Sequence, residues 1–453
     1  MLHAFAPRDA LRRRSYDFVL GVVTLDLKRL DGRAHVGLAD AGALTIGGMM
    51  KRTATCLLAA IMIAAGASNA AANPEYPALY DARSLAMGGT GVAFAEDGAA
   101  VFHNPANLAG IDLFAVSLSA SPMFAKQSAP LTAPNTETSS ARGLAPLFLV
   151  GGGVRVSRMI VVGLGAYVRS GGGALYENVG GVEEQKLSMS SMELAIPVAI
   201  RLTDQINAGL AVRLGYASLN TALVVPDMSG SPMNMEQEVS GFGHVPGVTA
   251  GVQYRPISEL RLGLVYRSRM DVGMDGTTTI TPPGAPALQA DTETEFAIAH
   301  AFHLGGAYSL LSDKLLVAAD VSVRLFGNAN EKMTFTNEAG GMMTTQENRL
   351  GWENVFTGHL GGEYRLTDLV GVRLGYSLSP SATADDAASA FSPPPGVMHG
   401  VTAGAGLRTG STEFDAGAMY TFFGADVEAT DNGLPGRYEG DLWVIGLSAT
   451  YRR

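Results

Sequence analysis

Beyond residue 112 the chain alternates apolar and polar residues, and this period of two constrains the fold more than any other feature. Within 314–325, Leu315, Val317, Ala319, Val321, Val323 and Leu325 share one face, while Asp320, Ser322 and Arg324 share the other. Fourteen such segments are marked, at about 113–124, 143–156, 160–170, 186–201, 205–219, 240–255, 259–274, 293–309, 314–327, 351–365, 368–379, 396–408, 412–425 and 438–451. Most have the roughly 9–11 residues that a tilted strand needs to cross a bilayer. Their connections alternate in length. Short turns fall at Ser157-Arg158, Thr203-Asp204, Ile257-Ser258, Ser312-Asp313, Thr367-Asp368 and Gly410-Ser411, and long loops near 126–141, 171–185, 220–239, 275–292, 328–350, 380–395 and 426–437. Turns on one rim and loops on the other predict an all-β fold: a 14-stranded antiparallel transmembrane barrel with periplasmic turns and extracellular loops.

Tyrosine placement favours lipid over the interior of a soluble sandwich. Tyr216, Tyr266, Tyr376 and Tyr420 stand near the ends of rising strands, and Tyr254, Tyr308, Tyr364 and Tyr451 near the ends of falling ones. Because strand direction alternates, the two sets make one aromatic girdle at each membrane interface. The 56 glycines suit turns and curved sheets rather than helices. A net charge of −10 with no basic patch excludes a nucleic-acid partner.

Met50-Lys51-Arg52, an apolar run over 57–65 and small residues over 67–73 predict a signal peptide at 50–72. Cys56 precedes the apolar run, so a lipoprotein anchor is not expected. Residues 1–49 are read as an upstream piece ahead of the true start, or else as a disordered extension. The predicted division continues with an N-terminal hatch at 73–112 and the barrel at 113–453. The hatch is Gly/Ala-rich, and its GGTG at 88–91 lacks the strand and Lys-Ser/Thr of a phosphate loop. Asn104-Pro105-Ala106 has a defined shape, since the proline fixes its own φ and holds Asn104 extended.

Arg213, Arg261 and Arg373 recur on the inner face of rising strands, with Asp320 also inward. They read as paired wall charges or as contacts for a ligand carboxylate. His244, His300 and His399 fall outward, and His303 and His359 inward, without a G-x-S-x-G elbow or a metal-ligand cluster. No enzyme, metal or cofactor is expected. Loop 220–239 carries Leu223, Val224, Val225, Met228, Met233 and Met235, an adaptable apolar set that a water-facing loop does not need. In strand 160–170, Tyr167 points inward, and Gly163 and Gly165 permit either a bulge that opens the wall or plain curvature.

Three stretches resemble the FadL-type outer-membrane transporters of long-chain fatty acids and hydrocarbons: SLAMGGTGVAFAEDGAAVFHNPANLAG, GVQYRPISELRLGLVYRS at 251–268 and GWENVFTGHLGGEYRLTDLVGVRLGY at 351–376. The resemblance implies a barrel plugged by a hatch, with Asn104, Pro105 and Ala106 at its gate. It implies capture of an apolar ligand by loops 220–239 and 275–292, and lateral release at the third strand around Gly163, Gly165 and Tyr167. The chain ends Tyr451-Arg452-Arg453 where such proteins end on an aromatic, and loop 220–239 is short for the family. The expected partners are a hydrophobic small molecule, outer-membrane lipid with lipopolysaccharide, and the barrel-assembly machinery, the protein acting as a monomer. The alternative is a diffusion porin or a structural barrel whose leader is only a plug.

Overall fold

A computed structural model describes residues 81–226, 231–327 and 329–453. The predicted signal peptide, everything upstream of it, residues 73–80 and Met228 lie outside the described residues.

The described residues form fourteen antiparallel staves in chain order: β1 Phe114–Ala129, β2 Gly143–Arg155, β3 Ile160–Val179, β4 Val182–Arg201, β5 Ile206–Pro226, β6 Pro232–Phe242 with Gly247–Ile257, β7 Leu260–Arg267 with Met270–Thr281, β8 Leu288–Ile298 with Ala301–Leu310, β9 Leu315–Arg324 with Lys332–Ala339, β10 Met342–Arg349 with Val355–Arg365, β11 Val370–Pro380, β12 Val397–Thr409, β13 Thr412–Val427 and β14 Gly436–Arg452. Each pairs with its neighbours, and β14 returns to β1 from Ala115↔Arg452 to Ser128↔Glu439. The sheet therefore closes on itself as a barrel, every stave pairing with both neighbours along at least part of its length.

Short turns on one rim have a local cause. Ser157, Thr203 and Thr367 each accept, on the side-chain hydroxyl, the backbone N–H groups two and three residues on. That side-chain turn reverses the chain within a few residues. On the other rim the staves run beyond the expected limits, so stretches read as loops are paired hairpins instead. Residues 220–226 and 232–239 lie in β5 and β6, and Leu223 pairs directly with Met235. The apolar alternation stops where the strands leave lipid, but backbone pairing does not need it.

Outward residues match a membrane band. Leu118, Leu164, Leu210, Leu264, Leu304, Leu360 and Leu447 are all more than half exposed, a cost in water but not against acyl chains. Tyr254, Tyr308, Tyr364 and Tyr451 are about 40% exposed at the turn-side end. At the opposite end Tyr266 bonds His300 (3.0 Å) and Tyr376 bonds His399 (2.7 Å). Those outward histidines belong to the girdle.

The staves β6 to β10 are each broken midway. Side chains satisfy the backbone freed at these breaks: Ser268 Oγ accepts from Val248 N–H, His300 Nδ1 from Arg269 N–H, and Asn330 Oδ1 from Ala297 N–H. Inside the breaks lies an apolar cluster of Met270, Val272, Met274, Phe296, Phe326, Met333, Phe335 and Trp352.

Candidate functional site: hatch, cavity and wall gap

Residues 81–112 run through the lumen as α1 Ala82–Ala86, a turn at 87–92, α2 Ala100–His103 and a 3-10 helix Pro105–Gly110. Asp81 caps α1 by accepting from Ser84 N–H at 2.9 Å. Burial pushes its carboxyl pKa up, but bonds from His103 and Ser84 outweigh this and hold it below the usual carboxylate range. Asp81, Ser84 and His103 are no hydrolytic triad. Carboxylate and hydroxyl both meet the same imidazole nitrogen, Nε2, at 2.8 and 3.0 Å, so no proton can be relayed between them.

Inward glycines make room for the hatch. A Cβ at Gly209 would strike the backbone of Pro105 and Ala106, one at Gly251 the side chain of Asn104, one at Gly361 the backbone of Met87 and one at Gly417 that of Ala82. Asn104 is extended, as its proline dictates. It accepts from Ala106 N–H (3.0 Å) and donates to the carbonyls of Val92 (3.0 Å) and Val252 (3.1 Å).

The hatch meets the wall in two different ways. Over 98–111, Val101, Leu108 and Ile111 pack with Ala115, Val161 and Ala199, and Phe102 packs with Leu149, Tyr167 and Ala195. Exposing those four large hatch side chains costs roughly 1.5–3 kcal/mol each. The 87–92 turn packs on the wall only through Met87, against Ala307, Leu316 and Ala318, and is otherwise held by polar side chains. Asp320 Oδ2 accepts from Gly91 N–H (2.7 Å) and Val92 N–H (3.0 Å), His359 Nδ1 donates to Gly88 O (2.6 Å), and Thr402 accepts from Gly88 N–H (3.0 Å). The bonds of His359 and Thr402 are each worth only about 1 kcal/mol net, and the two on the Asp320 carboxylate about 1.5–3 kcal/mol each, which makes Asp320 the strongest single tie of the turn. On the turn side of the barrel, ion pairs fasten the rest: Arg83 with Glu363 (2.8 Å), Asp97 with Arg452 (3.2 Å), and Glu96 with Arg255, with Arg261 3.8 Å away. Arg373 is locked among Glu363, Glu413 and Asp415. Arg261, Arg373 and Asp320 are thus occupied by wall and hatch.

Above the hatch lies an apolar cavity of about 180 Å³. Leu187, Leu219, Leu223, Met235, Phe296 and Trp352 line it, and the loop after β11 covers it with Phe391 and Pro393. Of the set expected to capture ligand, Leu223 and Met235 therefore face the cavity. Val224 lines a polar outer groove that Leu223 and Met235 also border, and Val225 pairs with a half-buried Met233.

The wall beside this cavity is incomplete. The β2–β3 ladder runs from Arg155↔Val161 to Leu149↔Tyr167 and ends there. Residues 143–148 still pair with β1, and 170–177 pair with β4, but these two runs do not pair with each other. Higher up, Ala141 N–H donates to Leu175 O (2.7 Å) and closes the gap. The register of β3 on β4 slips between Val168 and Ser170, so Arg169 is a bulge residue. Ser170, Gly171, Gly172 and Gly173, all beyond the bulge, line the cavity. Gly163 and Gly165 lie below the gap in the paired part of β3, where they admit Leu108 and Val101 of the hatch.

At the foot of the gap is a buried ionic cluster that sequence reasoning found only in part. Glu193 accepts from Arg213 (2.7 Å) and from Tyr167 (2.6 Å), which in turn accepts from Arg267 (2.8 Å). Arg169 stands 3.9 Å and Arg267 3.8 Å from the same carboxylate. All are at most 2% exposed. Three guanidiniums thus share one glutamate. Arg267 also lies over Phe102 of the hatch, 4.9 Å from the ring centroid. Inward parity would have marked Arg267 and Glu193; nothing local marks Arg169, because only a bulge turns it in.

Residues 60–452 match the family described as Outer membrane protein transport protein (OMPP1/FadL/TodX). The chain belongs to that family. It is a bacterial outer-membrane transport protein for hydrophobic molecules, not an enzyme. Among solved structures it is similar to a Pseudomonas aeruginosa FadL homologue (TM-score 0.73, 18% identity, 84% of this chain and 100% of that one). It is also similar to a TodX monoaromatic hydrocarbon channel carrying the deltaS2S3 mutation (0.71, 18%, 83% and 99%) and to the Ralstonia pickettii toluene transporter TbuX (0.65, 17%, 84% and 98%). At these identities the likeness is one of fold. No curated protein sequence matches the chain.

Proposed function

We propose that this FadL/TodX family member carries amphipathic molecules with a long apolar body and an anionic head, such as long-chain fatty acids. The ligand is taken into the covered apolar cavity and released sideways through the gap between β2 and β3. The observation that carries this reading is the lining of the cavity by Ser170–Gly173, the stretch of β3 without a β2 partner. Cavity and gap are one continuous route, and water-to-cavity transfer supplies about 0.8 kcal/mol per buried CH₂. The surplus positive charge of Arg169, Arg213 and Arg267 over Glu193 gives a ligand carboxylate a place at the foot of that route. Hatch movement then frees the path. In this reading residues 73–112 are the hatch and 113–453 the barrel, working as a monomer among lipopolysaccharide after insertion by the assembly machinery.

The test is uptake by cells with and without the protein, using labelled oleate, an uncharged hydrocarbon of equal length and a small sugar. Oleate flux without sugar flux is expected, and sugar flux alone sinks the reading in favour of a diffusion porin. Oleate binding to purified protein is expected to exceed that of the hydrocarbon by about 10–100-fold, the worth of a charged hydrogen bond. Arg169→Ala combined with Arg267→Ala should erase that preference. An unchanged ratio would remove the anionic head from the proposal while leaving transport of apolar molecules intact.

A further inference from the structure

We propose that the hatch opens at one place only, the 87–92 turn, with Asp320 as its latch, while residues 98–111 stay seated against the wall. This rests on the transport reading above and assigns the moving part within it. The turn carries two consecutive left-handed glycines, Gly88 (φ 70°) and Gly89 (φ 93°), which give it hinges of low steric cost. Beyond Met87, which packs with Ala307, Leu316 and Ala318 of the wall, its hold on the wall is through hydrogen bonds of Asp320, His359 and Thr402, whereas 98–111 is seated by four large apolar side chains.

A second observation points to the same place. Between this turn and the wall lies a small cavity of about 30 Å³, into which Asp320, Ser322, His303 and Arg324 bring polar groups and which Gly89, Val92 and Phe102 of the hatch border. Asp320 Oδ1, Ser322 Oγ and His303 Nε2 have no hydrogen-bond partner among the described residues. A cavity of that size and polarity has room for about two waters. Water held there would take over each bond the turn gives up, whereas the apolar contacts of 98–111 have no such substitute. The cavity is also lined by Arg169 and Arg267. A ligand head at the foot of the gap would thus lie next to the latch, which places opening under the ligand's influence. On this account Asn104, Pro105 and Ala106 form the fixed abutment, and the gate is the turn that Asn104 ties through Val92 O.

Two disulfide locks separate the halves. A Cβ on Gly305 lies 2.8 Å from Val92 Cβ and also presses on Asp320 Oδ1, so the reduced form of that pair is its own reference; a Cβ on Gly165 lies 2.9 Å from Val101 Cβ, and small shifts bring either pair to the roughly 3.5–4.5 Å of a disulfide. Val92→Cys with Gly305→Cys, oxidised, is expected to cut oleate uptake at least tenfold, with recovery on reduction. Val101→Cys with Gly165→Cys, oxidised, is expected to leave uptake at the level of its own reduced form. Equal uptake with the first lock closed, or loss with the second, overturns the proposal. If the native protein carries no oleate, the transport reading fails by itself. Amide hydrogen exchange then decides the hatch question, because the proposal requires Gly91 and Val92 to exchange faster than Phe102 and Leu108, and still faster in Asp320→Asn. Similar rates in all four amides would overturn it.

Discussion

Deleting Arg169 is expected to lower oleate uptake at least tenfold, to the background of cells without the protein, while the barrel keeps its fold. Val168 pairs with Met192 and Ser170 with Ser191, so Arg169 is the single residue by which β3 outruns β4. A bulge bends and twists the strand that carries it, and here it carries β3 away from β2 just above the Leu149↔Tyr167 pair. With the residue removed, Val168 and Ser170 become consecutive opposite Met192 and Ser191, and no partner on β4 changes. The straightened strand then presents its backbone to residues 143–148, whose groups on that side are free to pair. The gap closes because every ladder bond restored stabilises the closed wall. Arg169→Ala is the control. It keeps the residue count and the bulge, and removes one guanidinium from a cluster that retains Arg213 and Arg267 beside Glu193. Oleate affinity is then expected to fall about tenfold, the size of a charge-assisted bond of ~1.5 kcal/mol, with transport persisting at high oleate. Heat-modifiable migration of the folded barrel accompanies both measurements. Full uptake by the deletion variant would show that the ligand leaves by another path.

Much of this architecture is legible in the chain because lipid imposes a period of two. Strand count, short turns, girdle tyrosines and the inward set Arg213, Asp320 and Arg373 all follow from parity. Parity fails in two places, for a physical reason in each. Above the membrane both faces of β5 to β10 meet water or the cavity, so apolar alternation fades although pairing continues; Leu223 and Met235 then look like loop residues when they are a cross-strand pair. At a bulge the parity changes within one residue. Arg169 faces inward directly beside Val168, and the sequence around Gly163 and Gly165 draws the eye to the wrong glycines for the gap. Those two serve the hatch, whose fit is a matter of volumes between residues far apart in the chain. Contacts such as Gly91 and Val92 with Asp320 span more than two hundred residues, and a single sequence carries no mark of them.

The fit of hatch to barrel leads to the second large effect. Gly209→Val is expected to leave the barrel folded but unplugged, seen as ion conductance in planar bilayers and at least tenfold greater sensitivity of cells to a large hydrophilic antibiotic. A β-branched residue suits a strand, so β5 itself loses nothing. Its Cβ, however, would occupy the place of the Pro105–Ala106 peptide. That obstacle is backbone, clamped on both sides. Asn104 is tied to Val252 O, and Ala109 O is gripped by Arg155 (2.7 Å) and Arg201 (2.9 Å). No rotamer relieves the overlap, and overpacking of this kind costs roughly 1–3 kcal/mol or more even where side chains can shift. Gly251→Val opposes Asn104 on the neighbouring stave and is expected to act the same way. Gly358→Val supplies the comparison, since a Cβ there meets nothing within 4 Å, and it is expected to change neither conductance nor sensitivity. Glycine in this chain thus divides into positions where the wall yields space to the hatch and positions where only the strand is concerned. If Gly209→Val remained sealed, the hatch would have to tolerate displacement of its 3-10 helix, and its apolar half would lose its claim to be the fixed part.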